Sequence, residues 1–418
     1  MKKSLLSLLV PVVVLFLLVS APSFVVPVAA QDAAVSGTLS FLSWYTQDQY
    51  QPVLDAFLAQ YPDVQIDYQN VPPANNQYVQ RLQLLASSGE LPDLFYSGPP
   101  ITLMAENGYL ADITDLEVVQ ALPEGYKQYY TYEDRVYAYA PDAWVGGVFY
   151  NIALFRDNNI AVPTTWDEFI AACAAFSELG VKPITMSADS IPDLIYWLHN
   201  TEVLSQDPNF DVRINTGETT FSEGYLDALT MWKTQLVDTG YISQDTVGLT
   251  DDQRFTEFAT GTAAMTISGP WAVNGIMEKN PELELGLFPF VGSTPERAYT
   301  VGAVNVGIAI SATAENPAAA EAFINFLGSP EGLALYQQVT GNFIGADIEY
   351  EINPVMEPIR PLAENGQFAF PPVFWTYGNT LAPSLIRGTQ EIILGTLTPE
   401  ELVQQLDEQQ AELAASGG

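Results

Sequence analysis

The sequence predicts an α/β protein of more than one lobe, and three observations predict it. Short β-rich runs alternate with amphipathic helical stretches along the chain. Helices open on recurring N-terminal signals. The chain has 418 residues, enough for two or three domains with sizeable cores.

The elements bear this out in order. Residues 37–44 read as a short strand, and 49–60 follow with Tyr50, Val53, Leu54, Phe57 and Leu58 at helical spacing. A second strand, 64–68, comes next. Two strands joined through a helix form a βαβ unit with a parallel sheet, whose ligands sit beyond the carboxyl ends of the strands. Residues 44–48 occupy that position. Further β-rich runs cover 145–150 and 304–310. Thr165 and Glu168 make a capping-box pair ahead of Phe169, Ile170, Cys173 and Phe176, and Thr398 with Glu401 repeats it near the C-terminus. Asn316-Pro317 opens another helix, with Pro at its first position and Ala319, Ala322, Phe323, Phe326 and Leu327 on its buried face. No internal repeat is visible, and only the tail 414–418 is low in complexity.

The first residues carry Lys2 and Lys3, an apolar run over 5–19, then small residues ending in Val28-Ala29-Ala30, the layout of a signal peptide cleaved after Ala30. The apolar run is short and broken by Pro11 and Pro22, which argues against a membrane anchor. The only cysteine, Cys173, lies far from that site, so no acylated Cys anchors the product and no intramolecular disulfide forms. The expectation is an exported, soluble, periplasmic monomer. Fifty acidic residues against 14 basic give a formal charge of −36, which excludes nucleic acid as a partner and reads first as a well-solvated surface. A hydrophobic content of 48% with 12% aromatic residues describes a folded chain, not an acidic disordered one.

Nucleophilic chemistry of the Ser-His-Asp or Cys-His kind needs an imidazole, and the chain has one, His199, which reads as structural. No His/Cys cluster has metal-ligand spacing, and no calcium loop, dinucleotide fingerprint or P-loop is present. No cofactor or metal is expected. A pair of carboxylates, as in glycoside hydrolysis, stays open among so many Asp and Glu residues. The positive signal is aromatic side chains beside small polar ones: Trp44-Tyr45-Thr46-Gln47-Asp48, Asp142-Ala143-Trp144, Tyr196-Trp197, Gly269-Pro270-Trp271 and Phe374-Trp375-Thr376-Tyr377. A pyranose offers a C–H face that packs on an aromatic plane and a rim of hydroxyls that carboxylates and amides can bind. Trp166, beside a helix cap, reads as core packing.

Several segments together resemble a known family, the extracellular solute-binding proteins of ABC importers. They are Leu91-Pro92-Asp93-Leu94-Phe95 with Asn107-Gly108-Tyr109-Leu110-Ala111-Asp112; Tyr150-Asn151 with Val162-Pro163-Thr164-Thr165-Trp166-Asp167-Glu168; Gly261-Thr262-Ala263-Ala264-Met265 with Gly269-Pro270-Trp271; and the helix from Asn316-Pro317 to Leu327. The likeness runs from about Gly37 to Leu406.

The resemblance implies a two-lobed, type II periplasmic-binding-protein-like fold, closing on a sugar by hinge motion and delivering it to a membrane permease. It implies a first lobe of 36–141 plus about 307–352, a second of about 147–301 plus 353–410, and crossings near 142–146, 302–306 and 353. Family binding positions fall on Trp44, Asp48, Ser97, Gly98, Asp142, Trp144, Trp271, Gly302, Asn305 and Trp375, with Trp197 in the variable second lobe. Asp48 and Asp142 are the implied hydroxyl acceptors, and Trp271 and Trp375 the stacking platforms. Maltose-binding relatives place an aromatic residue where this chain has Ser97-Gly98-Pro99-Pro100, which argues against a maltodextrin. A secreted carbohydrate-active enzyme, a binder of cationic ligands such as polyamines, and a sensory or adhesive module on the same fold are the alternatives.

Overall fold

A computed structural model describes residues 35–72, 77–98, 101–346 and 348–416. The readings of the leader 1–30, of Pro99 and Pro100, and of Gly417 and Gly418 lie outside the described residues.

The βαβ reading of the start is what forms. Strand Gly37–Ser43 pairs in parallel with Val64–Asn70 and with Leu94–Ser97, and Gly307–Ile310 adds antiparallel to Leu94–Ser97 to complete a four-stranded sheet. Helix Gln47–Gln60 starts two residues earlier than its apolar period suggested, because Thr46 and Gln49 form a reciprocal capping box. Its Tyr50, Val53, Leu54 and Phe57 are buried.

A second sheet orders Leu285–Phe288, Gly147–Asn151, Ala263–Ser268 and Lys182–Thr185. Strand alternation gives its two faces to different cores: Val148 and Phe288 join one, Phe149 and Leu287 the other. Helix Trp166–Glu178 lies beside this sheet and opens on Thr165, as the capping pair predicted, but the Glu168 carboxylate turns to Thr164 and accepts from its N–H and hydroxyl. At Thr398 the reciprocal box is complete.

The β-rich runs over 145–150 and 304–310 do not form single strands. Each divides between two sheets. Asp142–Val145 belongs to a third sheet, ordered Phe343–Ile344, Asp142–Val145, Thr300–Val304 and Phe368–Ala369, while Gly147–Asn151 continues into the second. The changeover is Gly146, whose N–H donates to Val301 O and where an added Cβ would come 3.0 Å from Ser268 O. Likewise Thr300–Val304 belongs to the third sheet and Gly307–Ile310 to the first. Two antiparallel neighbouring strands thus carry the chain from the first sheet to the second and back. One core gathers Leu39, Phe41, Phe57, Phe95 and Phe323 around the first sheet, and another gathers Phe169, Trp197, Tyr225, Trp232 and Leu402 beside the second.

Candidate functional site

The carboxyl ends of the first sheet's strands carry the first group of expected residues. Trp44 leaves Gly37–Ser43 and stacks on Tyr96, ring centroids 5.4 Å apart. Asp48 is exposed in the first turn of the following helix. Ser97 is buried opposite Gly307, and Gly98 lies beside Val306. Asn305 is pinned at the return crossing: its N–H donates to Asp142 O at 2.9 Å, and Tyr130 Oη donates to its carbonyl while accepting from Gly307 N. The structure therefore brings Ser97, Gly98 and Asn305 together at one edge, and Asp142 with them through Asn305.

Asp142 does not present its carboxylate as expected. The side chain is 0% exposed, and Oδ2 accepts from Asn305 Nδ2 at 3.1 Å and Asn342 Nδ2 at 2.7 Å. Oδ1 is enclosed without a partner. Burial pushes this carboxyl up to about 6, against the pull of the two amides. Asp142 ties the two crossing strands together and positions Asn305. Gly302 is likewise a packing residue, since an added Cβ would lie 2.5 Å from Trp144 O.

Two other tryptophans are corrections of the same kind. Trp197 is 0% exposed, packed between Trp166, Phe169 and Phe290, and its indole N–H donates to Val291 O. Trp375 is 1% exposed and donates to Asp211 Oδ1 at 2.7 Å. That carboxylate also accepts from Tyr225 and meets His199 Nε2, so Trp375 and the sole histidine share one buried polar knot. Neither indole offers a face to a ligand. An aromatic residue after a turn signal looks the same in sequence whether its ring turns in or out.

Trp271 and Trp144 behave differently. They meet edge to face at 5.3 Å, and Phe370 abuts Trp144 at 5.6 Å. Trp271 stays 58% exposed, its ring folded over Gly269, where a Cβ would come 2.3 Å from it. This aromatic corner walls a cavity of about 300 Å³ that also takes in Ser187, Asp193, Asp251, Arg254 and Ser268.

Sequence reasoning missed that polar wall. Arg254 is 3% exposed and fixed by Asp251 Oδ1, Thr266 Oγ1 and Ile267 O. Burial acts to raise the Asp251 carboxyl, but Arg254 and the Ser187 hydroxyl outweigh it and hold it below its ordinary value. Asp193, in the first turn of Pro192–His199, accepts no hydrogen bond among the described residues, and burial pushes it up to about 7 despite Arg254. Ser268 Oγ is also enclosed without a partner. An acidic residue in a helix's first turn is common for electrostatic reasons, so Asp193 gave no functional sign in the sequence. The arrangement offers an aromatic face, an unpartnered carboxylate and a fixed cation. It suits binding of a ring bearing hydroxyls.

Residues 43–334 match the family of bacterial extracellular solute-binding proteins. The chain belongs to that family. This solute-binding protein is 24% identical over 325 residues to the multiple sugar-binding protein of Streptococcus mutans, covering 74% of this chain and 75% of that one. Its fold is that of a family 1 extracellular solute-binding protein from Bifidobacterium longum subsp. infantis, with a TM-score of 0.77, 24% identity, and 90% and 100% of the two chains covered. A chitin oligosaccharide binding protein gives a TM-score of 0.74 at 23% identity, over 91% and 99% of the chains. The two-lobed architecture is therefore the fold of this solute-binding protein. Among its described residues no helix is long and apolar enough to cross a membrane.

Proposed function

We propose that this protein captures a sugar between its lobes and presents it to the membrane permease of an ABC importer on the exported side of the membrane. The observation that carries the reading is the Trp144–Trp271–Phe370 corner facing a cavity with an unpartnered carboxylate, Asp193. A sugar ring matches both surfaces at once: its C–H face covers the exposed indole, and its hydroxyls donate to Asp193. Trp44, Asp48, Ser97, Gly98 and Asn305 lie at the strand ends of the other sheet and complete the site when the lobes close. The proposed lobes are 36–141 with about 307–352 and 147–301 with 353–410, pivoting about 142–146, 302–306 and 353. A ligand that touches both lobes binds the closed state better and shifts the population toward it, and the permease reads that state. The proposed working form is a periplasmic monomer.

One observation supports a second reading, capture of an amine. Asp189, Asp193 and Asp251 line the cavity against the single guanidinium of Arg254. Calorimetric titration with mono- and oligosaccharides and with polyamines, paired with small-angle scattering, separates the two. Sugar binding with a fall in the radius of gyration supports the first reading. Binding of polyamines alone supports the second, and binding without compaction removes hinge closure from either.

A further inference from the structure

A larger cavity, about 1050 Å³, lies apart from the one just described and shares no lining residue with it. Both cavities flank the third sheet: Tyr299 lines the larger and Val301 the smaller, and Ala369 and Phe370 divide in the same way. One wall of the larger cavity is the segment 123–131, which packs with the first core through Tyr126 and Tyr130. The facing wall comes from 208–212 and 373–374, next to Phe210 and Trp375 of the second core. Tyr129 and Phe374 meet across the groove with ring centroids 5.6 Å apart.

Its chemistry is unusual for so acidic a chain. Among the described residues Glu364 is the only charged one lining it, and Arg360 lies 3.4 Å from that carboxylate. The hydroxyls of Tyr126, Tyr129 and Tyr299 make no hydrogen bond among the described residues. The side-chain amides of Gln128, Asn209 and Asn365 are exposed and make no hydrogen bond to protein among the described residues. Unused neutral donors and acceptors over aromatic planes are what a hydroxylated ring needs.

We infer that this groove is a second site for a neutral oligosaccharide. The inference rests on the reading of the protein as a sugar binder. Because both lobes line the groove, occupation here is coupled to closure of the cleft, and each ligand alters the affinity of the other.

The test is calorimetric titration of the full exported protein with raffinose, stachyose and chitin oligosaccharides up to millimolar concentration. It is repeated on Val212→Trp and Asn365→Trp, which fill the groove from its exposed rim, and on Trp271→Ala. The expected result is two binding steps in the unmodified protein. The weaker step is lost in the groove variants and kept in Trp271→Ala. A single step removed by Trp271→Ala overturns the second site and leaves the cleft reading standing. A second step that survives both groove variants overturns it too, and no binding of any probe sinks both readings. Circular dichroism confirms that each variant folds, and either groove variant suffices if the other does not.

Discussion

Trp271 rests edge to face on Trp144, with ring centroids 5.3 Å apart and planes at 70°. Trp144 sits on Asp142–Val145, the strand that precedes the changeover to the second sheet, so the exposed indole is oriented by the proposed pivot. The Trp271→Ala variant is expected to lose about 1–3 kcal/mol of ligand affinity, the scale of one aromatic contact. Its melting temperature should barely move, because the ring is 58% exposed. Calorimetry beside thermal melting checks both, and unchanged affinity removes Trp271 from the site.

The pH dependence of binding tests Asp193. Burial pushes its carboxyl up to about 7. Ligand hydroxyls that donate to it stabilise the charged form, so affinity should rise as pH climbs through about 7 and fall on acidification. Asp193→Asn should bind more weakly at alkaline pH and lose the slope. A flat profile in the unmodified protein contradicts this role.

Asp142 predicts a stability effect of its own. Its folded pKa, about 6, lies above the ordinary carboxylate value of 3.8. Between those values the unfolded chain ionises while the folded one keeps its proton, so stability falls as pH rises across that window and levels off above it. The loss is up to about 3 kcal/mol. Asp142→Asn should lack this component, as denaturant melts from about pH 4 to about pH 7 would show.

The crossing pair tolerates no added bulk. A Cβ on residue 302 would lie 2.5 Å from Trp144 O. Gly302→Ala should therefore cost about 1–3 kcal/mol in chemical denaturation through overpacking. A variant as stable as the parent would mean that the strands separate easily.

Trp375→Phe separates the buried knot from the site. It keeps an aromatic ring but leaves Asp211 Oδ1 without the indole donor. Stability should drop by about 1–3 kcal/mol. Sugar affinity of the folded protein should hold, and a selective loss of binding would restore Trp375 as a ligand residue.

Most of the fold was legible in the sequence because it is local. The helical spacing of Tyr50, Val53 and Phe57 and the capping pairs at Thr165 and Thr398 need only near neighbours to form. The division of the run 145–150 at Gly146 was not legible, since the reason for it is the backbone of Ser268 and Val301, more than a hundred residues away. At the candidate site, Trp144 and Trp271 were named from sequence and stand together. Trp197 and Trp375 carry the same aromatic signal, yet their indoles point to Val291 and Asp211 inside the core. Asp193 and Arg254 join one cavity only through the tertiary fold.

The most direct test of the central claim is a thermal-shift screen of the purified protein and of Trp271→Ala against sugars, amino acids and polyamines. A ligand at a hundred times its dissociation constant adds about 2.7 kcal/mol of stability. The expected result is a rise with one class of sugar that shrinks in Trp271→Ala. A rise confined to polyamines, or a sugar response that Trp271→Ala leaves intact, would contradict it.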